Sequence, residues 1–511
     1  MSLKRRLLNS ISNALSRPEL DFDFLLNDKN LGLIKENIRC RKGIGDIDAV
    51  HRLWKQIQCY SGKLKQSEQE YQLLWDKLYE EAMLIPNLCH TNVAKGNLSN
   101  TCAVRFFGEK RKDGNLETAE TIAKAWRALY TPLNACGERS YAFIGPLADL
   151  ELALLDYVSS IVEQKGFRPV VVSDIVHESI PEGCGLQQRS DKDILYRLEK
   201  YNDFCLSGTS EMGLSSLVRG RIFGYDELPC KLKALSRCFR PEISTNAIES
   251  KLYRVHEFNK VEMFVVCNEN DSDLELDELI KIQTSIFSSL GLHCRLLDMP
   301  SEELGASAAR KFDIEAWMPG RKMFGEVSSA SNCTDYQARR LSIKYRDSSG
   351  TEKFAHTCNA TAVATTRTLI ALLETYQDGR KRLLELPYVI RKRMPKTRSW
   401  TISLHNAINN LSSIFVFLFG GKQFVVFKAL LLYLDTFSCS NQYSGFQKLF
   451  KNVRSEEFRI ATGEGRETRF ASNFTGSVTL NLVAGVILVS ENFMDLSTAT
   501  EFFYRVNVRD I

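Results

Sequence analysis

The run Glu326-Val327-Ser328-Ser329-Ala330-Ser331-Asn332-Cys333-Thr334-Asp335-Tyr336-Gln337-Ala338-Arg339-Arg340 decides how this chain is read. It lies inside a region, residues 140–394, where short β-rich runs (Val170 to Val172, Met263 to Val266, Leu341 to Tyr345) alternate with helical stretches (Leu147 to Lys165, Leu274 to Leu290, Thr366 to Gln377). The alternation does not build regular βαβ units. Neither G-x-G-x-x-G nor G-x-x-x-x-G-K-[ST] occurs, which excludes a Rossmann or P-loop nucleotide site.

Working outward, 511 residues are too many for one hydrophobic core, so several domains are expected. With 44% hydrophobic and 25% charged residues the composition is that of a soluble globular protein. The formal charge is only +5, from 67 Lys+Arg against 62 Asp+Glu, so any affinity for nucleic acid must come from local patches. The 14 cysteines are scattered without a C-x-x-C, which points to free thiols in a reducing compartment. Residues 1–18 carry Lys4, Arg5, Arg6 and Arg17, four serines and no acid, with Leu3, Leu7, Ile11 and Leu15 at four-residue spacing, the pattern of a mitochondrial presequence. That pattern predicts residence in the mitochondrial matrix.

Residues 19–100 read as an arm. Ile47, Val50, Leu53, Trp54, Ile57 and Leu64, then Tyr71, Leu74, Trp75 and Leu78, recur at three- and four-residue steps and predict two helices folded as a hairpin, broken at Cys59 to Gly62 or at Lys65 to Glu68. Limbs of about 18 residues would each reach about 27 Å. Pro86 ends the second limb. From Pro18 to about Cys40 the acids and leucines show no strand character. After Met394 the chain changes: residues 414–437 are apolar but interrupted by Gly420, Gly421, Lys422, Gln423 and Lys428, which is not a membrane span. Residues 395–511 read as a weakly structured extension of unknown role.

Several segments carry a resemblance. Gly166-Phe167-Arg168-Pro169-Val170 after a long helix resembles the dimer-forming first motif of class II aminoacyl-tRNA synthetases. Phe239-Arg240-Pro241-Glu242, followed by Arg254-Val255-His256-Glu257-Phe258-Asn259-Lys260-Val261-Glu262, resembles the second motif. Thr209-Ser210-Glu211, Ile85-Pro86-Asn87-Leu88-Cys89-His90 and above all the run 326–340 are similar to elements of the seryl-tRNA synthetase family. The resemblance implies an α+β architecture: a class II antiparallel-sheet catalytic domain over 101–394 with the N-terminal helical hairpin over 19–100 as a tRNA-binding arm.

The resemblance also implies roles. In that chemistry the serine carboxylate attacks the α-phosphorus of ATP, and fixed cations stabilise the charge that gathers there. Arg240, Glu326 and Arg367 are the expected catalytic residues. Arg240 would grip the α-phosphate and the serine carboxylate, and Arg254 and Arg367 the γ-phosphate end. Phe258 would stack on adenine, with Glu242 near its amino edge. Glu326 and Ser329 would hold Mg2+ as hard oxygen donors. Thr209, Glu211 and Glu262 would surround the serine ammonium, with Asn359 and Thr361 towards the hydroxyl.

Four departures from the family pattern stand out. The third motif, normally glycine-rich, reads His356-Thr357-Cys358-Asn359-Ala360-Thr361-Ala362-Val363-Ala364-Thr365-Thr366-Arg367. Ala360, Ala362 and Thr366 replace glycines, and are expected to add bulk and, where φ is positive, strain. The loop Ile243 to Lys251 has no glycine and one basic residue, and the arm is about half the usual bacterial length. Ser173 replaces a first-motif proline at the expected dimer contact. Together these favour a mitochondrial seryl-tRNA synthetase-like protein with weakened or lost aminoacylation, similar to the seryl-tRNA synthetase-like proteins of insect mitochondria. It would act by dimerising with an active paralogue or by binding tRNA or another RNA. The alternative is an active serine–tRNA ligase and a homodimer.

Overall fold

The computed structural model describes residues 17–60, 68–111, 114, 116–186, 194–200, 203–242, 251–378 and 386–395, with short strands at 415–419, 422–426, 459–462, 467–469 and 485–488. The presequence pattern up to residue 16 and the loop 243–250 lie outside the described residues. Two compact units are present, Met1–Arg398 and Ser399–Ile511.

The first unit is organised on one eight-stranded sheet. In chain order its strands are β1 (Cys102–Phe107), β2 (Arg168–Val170), β3 (Cys230–Phe239), β4 (Glu257–Cys267), β5 (Cys294–Asp298), β6 (Arg310–Met318), β7 (Met323–Asn332) and β8 (His356–Ala364). Their spatial order is β1-β5-β6-β7-β8-β4-β3-β2. Every neighbouring pair is antiparallel except β2 with β3, which run parallel. A sheet of this kind places chemistry on one face of its central strands, since alternate side chains share a face. Phe258, Lys260 and Glu262 on β4 obey that alternation.

Five helices surround this sheet or line its arm: α1 (Leu31–Cys40), α2 (Ile47–Tyr60), α3 (Glu68–Leu84), α4 (Pro146–Gln164) and α5 (Ser210–Val218). Three more follow: α6 (Ser272–Ser289), α7 (Tyr336–Leu341) and α8 (Thr365–Thr375). Helix α4 starts on Pro146, where the missing N–H costs nothing, and stops at Gly166, whose φ of +87° a side chain would resist. The apolar faces of α6 and α8 cover the sheet, and Leu150, Leu154, Ile286 and Phe287 are fully buried; Phe264 is buried in a separate cluster with Met212 and Leu214 of α5. Burying each such side chain contributes about 1.5–3 kcal/mol.

The arm helices α2 and α3 pack on each other over the buried residues Ile47, Val50, Ile57, Leu78 and Ala82, with the Trp54 and Trp75 rings 5.8 Å apart edge to face. At 14 and 17 residues they measure about 21 and 26 Å, a little shorter than the sequence suggests. Cys59 and Tyr60 of the first expected break still belong to α2 and Glu68 of the second opens α3, while the segment between the helices, 61–67, lies outside the described residues. The stretch from Pro18 to Cys40 is more helical than its residues suggest: besides α1 it forms a short helix, Phe22–Leu25, capped by the Asp21 carboxylate. The i,i+4 pair Ile34 and Ile38 supplies the buried stripe of α1.

The base of the arm is fastened to the sheet by polar side chains. Buried Arg41 donates to the carbonyls of Asn87 (2.6 Å), Ala308 (2.9 Å) and Gly305. The Asn87 amide in turn donates to the Ser307 and Cys333 carbonyls at 2.8 and 2.9 Å. Asn37 bonds the Asn87 carbonyl and the Cys89 N–H. These are charge-assisted or buried bonds, worth about 1–3 kcal/mol each.

In the second unit the described residues form an antiparallel hairpin, Phe415–Phe419 with Lys422–Val426, and a three-stranded sheet of Glu467–Arg469, Arg459–Thr462 and Gly485–Leu488. Among the described residues no helix is long and apolar enough to cross a membrane.

Candidate active site

Over the middle of the sheet, between β4, β6, β7 and β8, opens a cavity of about 340 Å³. Strand alternation brings Phe258, Lys260 and Glu262 to it from β4; Glu326 and Ser329, three residues apart on β7, both reach it because the register with β6 shifts between them. Asn359 and Thr361 enter from β8, and Thr209 with Glu211 from the first turn of α5. Arg240, Glu242 and Arg367 complete the wall. Of the twelve residues singled out in the sequence, all but Arg254 line this one cavity. Arg254 stands just behind it, its guanidinium 3.1 Å from the Glu242 carboxylate.

At the nucleotide-type end, the Arg240 guanidinium lies 5.3 Å from the centre of the Phe258 ring. Arg367 donates to the Glu326 carbonyl (3.1 Å) and carboxylate (3.3 Å), and its guanidinium sits 4.5 Å from the Tyr253 ring centre. The same ring also has Arg321 near it, 5.8 Å from its centre, and Arg321 is itself paired with buried Glu120. Cation–π contacts of this kind are worth about 0.5–2 kcal/mol and hold flat guanidinium groups in place.

The carboxylate of Glu326 opens into the recess, its side chain 42% accessible. Enclosure by the cavity walls works to raise its pKa, but Lys311, Arg367 and Arg240 outweigh that and hold it below the usual range. Lys311 is also bonded to Asp313 at 2.7 Å. Burial pushes Asp313 up to about 7 in spite of that lysine.

At the other end, burial pushes Glu211 up to about 7, helped by the nearby Glu262 carboxylate. One Glu211 oxygen accepts from the amides of Gln337 (2.5 Å) and Asn359 (2.8 Å). Gln337 is held in that orientation because Thr357 donates to its oxygen at 2.7 Å. Glu262 is ion-paired with Lys260, and the Lys260 ammonium also reaches Thr209 (2.7 Å) and Thr361 (3.3 Å). From behind, Gln283 on α6 bonds the Ser329 and Thr361 carbonyls at 2.8 and 2.9 Å, which fixes the spacing of β7 and β8.

The replaced glycines behave differently from expectation. Ala360 and Ala362 are fully buried in β8, Thr366 lies in the first turn of α8, and none of the three takes a positive φ. The expected backbone strain is therefore absent, because strand and helix geometry accept a Cβ. Ala362 falls where the register of β8 with β4 shifts, and only Thr366 of the three reaches the cavity. Positive φ occurs instead at Glu242 (+47°), beside the undescribed loop.

Sequence reasoning passed over Lys260, Lys311, Tyr253 and Gln337. Lys260 stood inside the quoted second motif, and its period-two relation to Phe258 and Glu262 was the available signal. Gln337 stood inside the run 326–340 quoted at the outset, whereas Lys311 and Tyr253 bear no local mark of a site.

Residues 196–376 match the family model for the tRNA synthetase class II core domain (G, H, P, S and T). The chain is 41% identical over 315 residues to the mitochondrial serine–tRNA ligase of Mus musculus, covering 60% of each chain. It is 35% identical over 397 residues to the serine–tRNA ligase of Rubrobacter xylanophilus, covering 73% of this chain and 93% of that one. Among solved structures, the seryl-tRNA synthetase from Pyrococcus horikoshii complexed with ATP matches with a TM-score of 0.64 and 25% identity, over 73% of this chain and 98% of that one. The chain spans about 60% of the length of the mitochondrial relatives it matches.

Proposed function

Because this chain belongs to the seryl-tRNA synthetase family, which includes mitochondrial forms, we propose that it activates serine with ATP in mitochondria. The observation that carries this is the convergence of Arg240, Glu326, Arg367, Glu211 and Glu262 on one cavity whose altered third motif is free of positive φ. A serine carboxylate oxygen bonds to the α-phosphorus, the bond from that phosphorus to the bridging oxygen breaks, and pyrophosphate leaves with the electron pair. No general base is required, since the carboxylate is already ionised at neutral pH.

Arg240, seated on Phe258, brackets the α-phosphate and the serine carboxylate. Arg367, fixed between Glu326 and Tyr253, faces the outer phosphates, with Arg254 in reserve behind Glu242. Phe258 offers its face to adenine and Glu242 an acceptor edge. Mg2+ fits the wall formed by Glu326 and Ser329, because both donors are oxygen and the carboxylate is kept ionised; when bound it neutralises phosphate charge. Among the described residues no group of three or more His, Cys, Asp or Glu is arranged to hold a metal unaided, so phosphate oxygens would complete such a site.

Serine-dependent ATP–pyrophosphate exchange by the purified protein is the test, and no exchange above background would reject the reading.

A second reading is favoured by the arm, whose helices have only 14 and 17 residues. With so little reach, and a glycine-free loop at 243–251, transfer to tRNA is weakened or lost. The protein then serves through dimerisation with an active seryl-tRNA synthetase of the matrix, or through binding another RNA. Exchange without serylation of mitochondrial tRNA, together with co-purification of an active synthetase, would support it. Serylation by a homodimer would exclude it.

A further inference from the structure

Outside the cavity, and unused by the chemistry above, lies a buried cluster of charge. The Arg321 guanidinium is ion-paired with Glu120 and stands 3.8 Å from a Glu374 carboxylate oxygen, and none of the three side chains is more than 8% exposed. Glu374 also accepts the backbone N–H groups of Arg321 (2.9 Å) and Ala119 (3.1 Å). The turn between β6 and β7, the helix Ala119–Ala125 and the last turn of α8 are thus tied together at one point. Replacing a buried ion pair by apolar side chains is often neutral for stability, so stability alone does not account for such a cluster.

Its reach explains it better. Helix α8 carries Glu374 near its end and Arg367, which lines the cavity, seven residues earlier, about 10 Å along the axis. Arg321 also stands 5.8 Å from the centre of the Tyr253 ring, and the Arg367 guanidinium lies 4.5 Å from the same centre. The cluster therefore holds both the helix that bears Arg367 and the ring beside which Arg367 lies. Of the five N–H donors of Arg367, Nε goes to the Tyr253 carbonyl at 3.2 Å and Nη1 to the carbonyl and carboxylate of Glu326. Those bonds leave the Nη2 edge for a ligand. A metal on Glu326 would compete for the carboxylate bond, whereas the two Tyr253 contacts are independent of it.

We infer that Tyr253 and Arg321 are positioning residues for Arg367, and that Arg321 acts from outside the cavity through the Tyr253 ring and α8. The inference rests on the proposed ATP site and deepens it. A planar guanidinium binds phosphate oxygens well only when its edge is already aimed, and small misplacements of a clamp are costly. With the ring removed, Arg367 keeps its charge and loses its orientation.

Calorimetric affinities of the full chain for ATP and, separately, for L-serine test this. Tyr253→Leu and Arg321→Met should each weaken ATP by about 10-fold and leave serine within about threefold, while Tyr253→Phe, which keeps the ring, stays near the native value. In an Arg367→Ala background, where nothing is left to position, the effect of Tyr253→Leu should shrink to less than about twofold. A full 10-fold loss that persists without Arg367, equal losses for ATP and serine, or no loss in Tyr253→Leu overturns the inference. Where Arg321→Met does not fold, because Glu120 and Glu374 are left without their cation, the Tyr253 variants decide. A native protein that binds no ATP would instead bring down the proposed function itself.

Discussion

Serine binding should be coupled to the proton on Glu211. Its carboxyl is pushed up to about 7 by burial and by Glu262, so near neutral pH the ligand-free cavity holds a mixture of acid and carboxylate. A substrate ammonium favours the carboxylate and must expel the proton. The apparent dissociation constant then scales as 1 + 10^(7 − pH), which is about 11 at pH 6, 2 at pH 7 and 1.1 at pH 8. Affinity should therefore improve about tenfold between pH 6 and pH 8 and level off above. Titration calorimetry in buffers of differing ionisation enthalpy counts the protons directly: about 0.9 released per serine at pH 6 and about 0.1 at pH 8. Glu211→Gln keeps the two amides close but removes the titration, so its weaker binding should be flat with pH. Serine binding at pH 6 without proton release would refute the assignment of Glu211 to the ammonium.

The same burial has a cost for the ligand-free fold. Glu211, Asp313 and Glu374 all sit at about 7, above their ordinary values, so each adds stability below about pH 4 that is lost as pH rises through 7; melting temperature should fall between pH 5 and pH 8, and a rise would contradict it. Leu78→Ala empties the fully buried centre of the arm and should cost about 2–5 kcal/mol, read as early proteolysis within 47–84. Glu326→Gln should lower serine-dependent exchange by about 10²- to 10³-fold, and exchange near the native rate would remove Glu326 from the mechanism. Ala360→Gly and Ala362→Gly should leave ATP affinity unchanged and each lose about 0.5–1 kcal/mol of stability, since neither position needs a positive φ; a gain in affinity would restore the strain argument.

Much of this site was legible because strand alternation and motif order are local signals. Phe258, Glu262, Glu326, Ser329, Asn359 and Thr361 are assigned through the family motifs in which they stand, and alternation adds that Phe258 and Glu262 share a face. Lys260 was not, because a lysine within a strand ordinarily marks a solvated face, and only the fold shows three buried acceptors converging on it. Tyr253 and Arg321 escaped for another reason: their stack on Arg367 joins segments more than 40 residues apart. The glycine replacements were over-read. From sequence a lost glycine suggests strain, but whether φ is positive is decided by the strand and helix on either side, and at Ala360 and Thr366 both are regular. The helices before Cys40 were missed because they are short and their buried face is completed by the arm.

Arg41 and Asn87 bear on how this protein can be rebuilt. The carbonyls they hold, at Gly305, Ser307 and Ala308, belong to residues that also wall the cavity. The hairpin is consequently no detachable handle: a chimera given a longer arm from a relative inherits a loosened cavity wall unless residues 37–41, 87–89 and 305–308 travel with it as one cassette. Grafts cut through that joint should be read for amino-acid affinity before any conclusion is drawn about RNA.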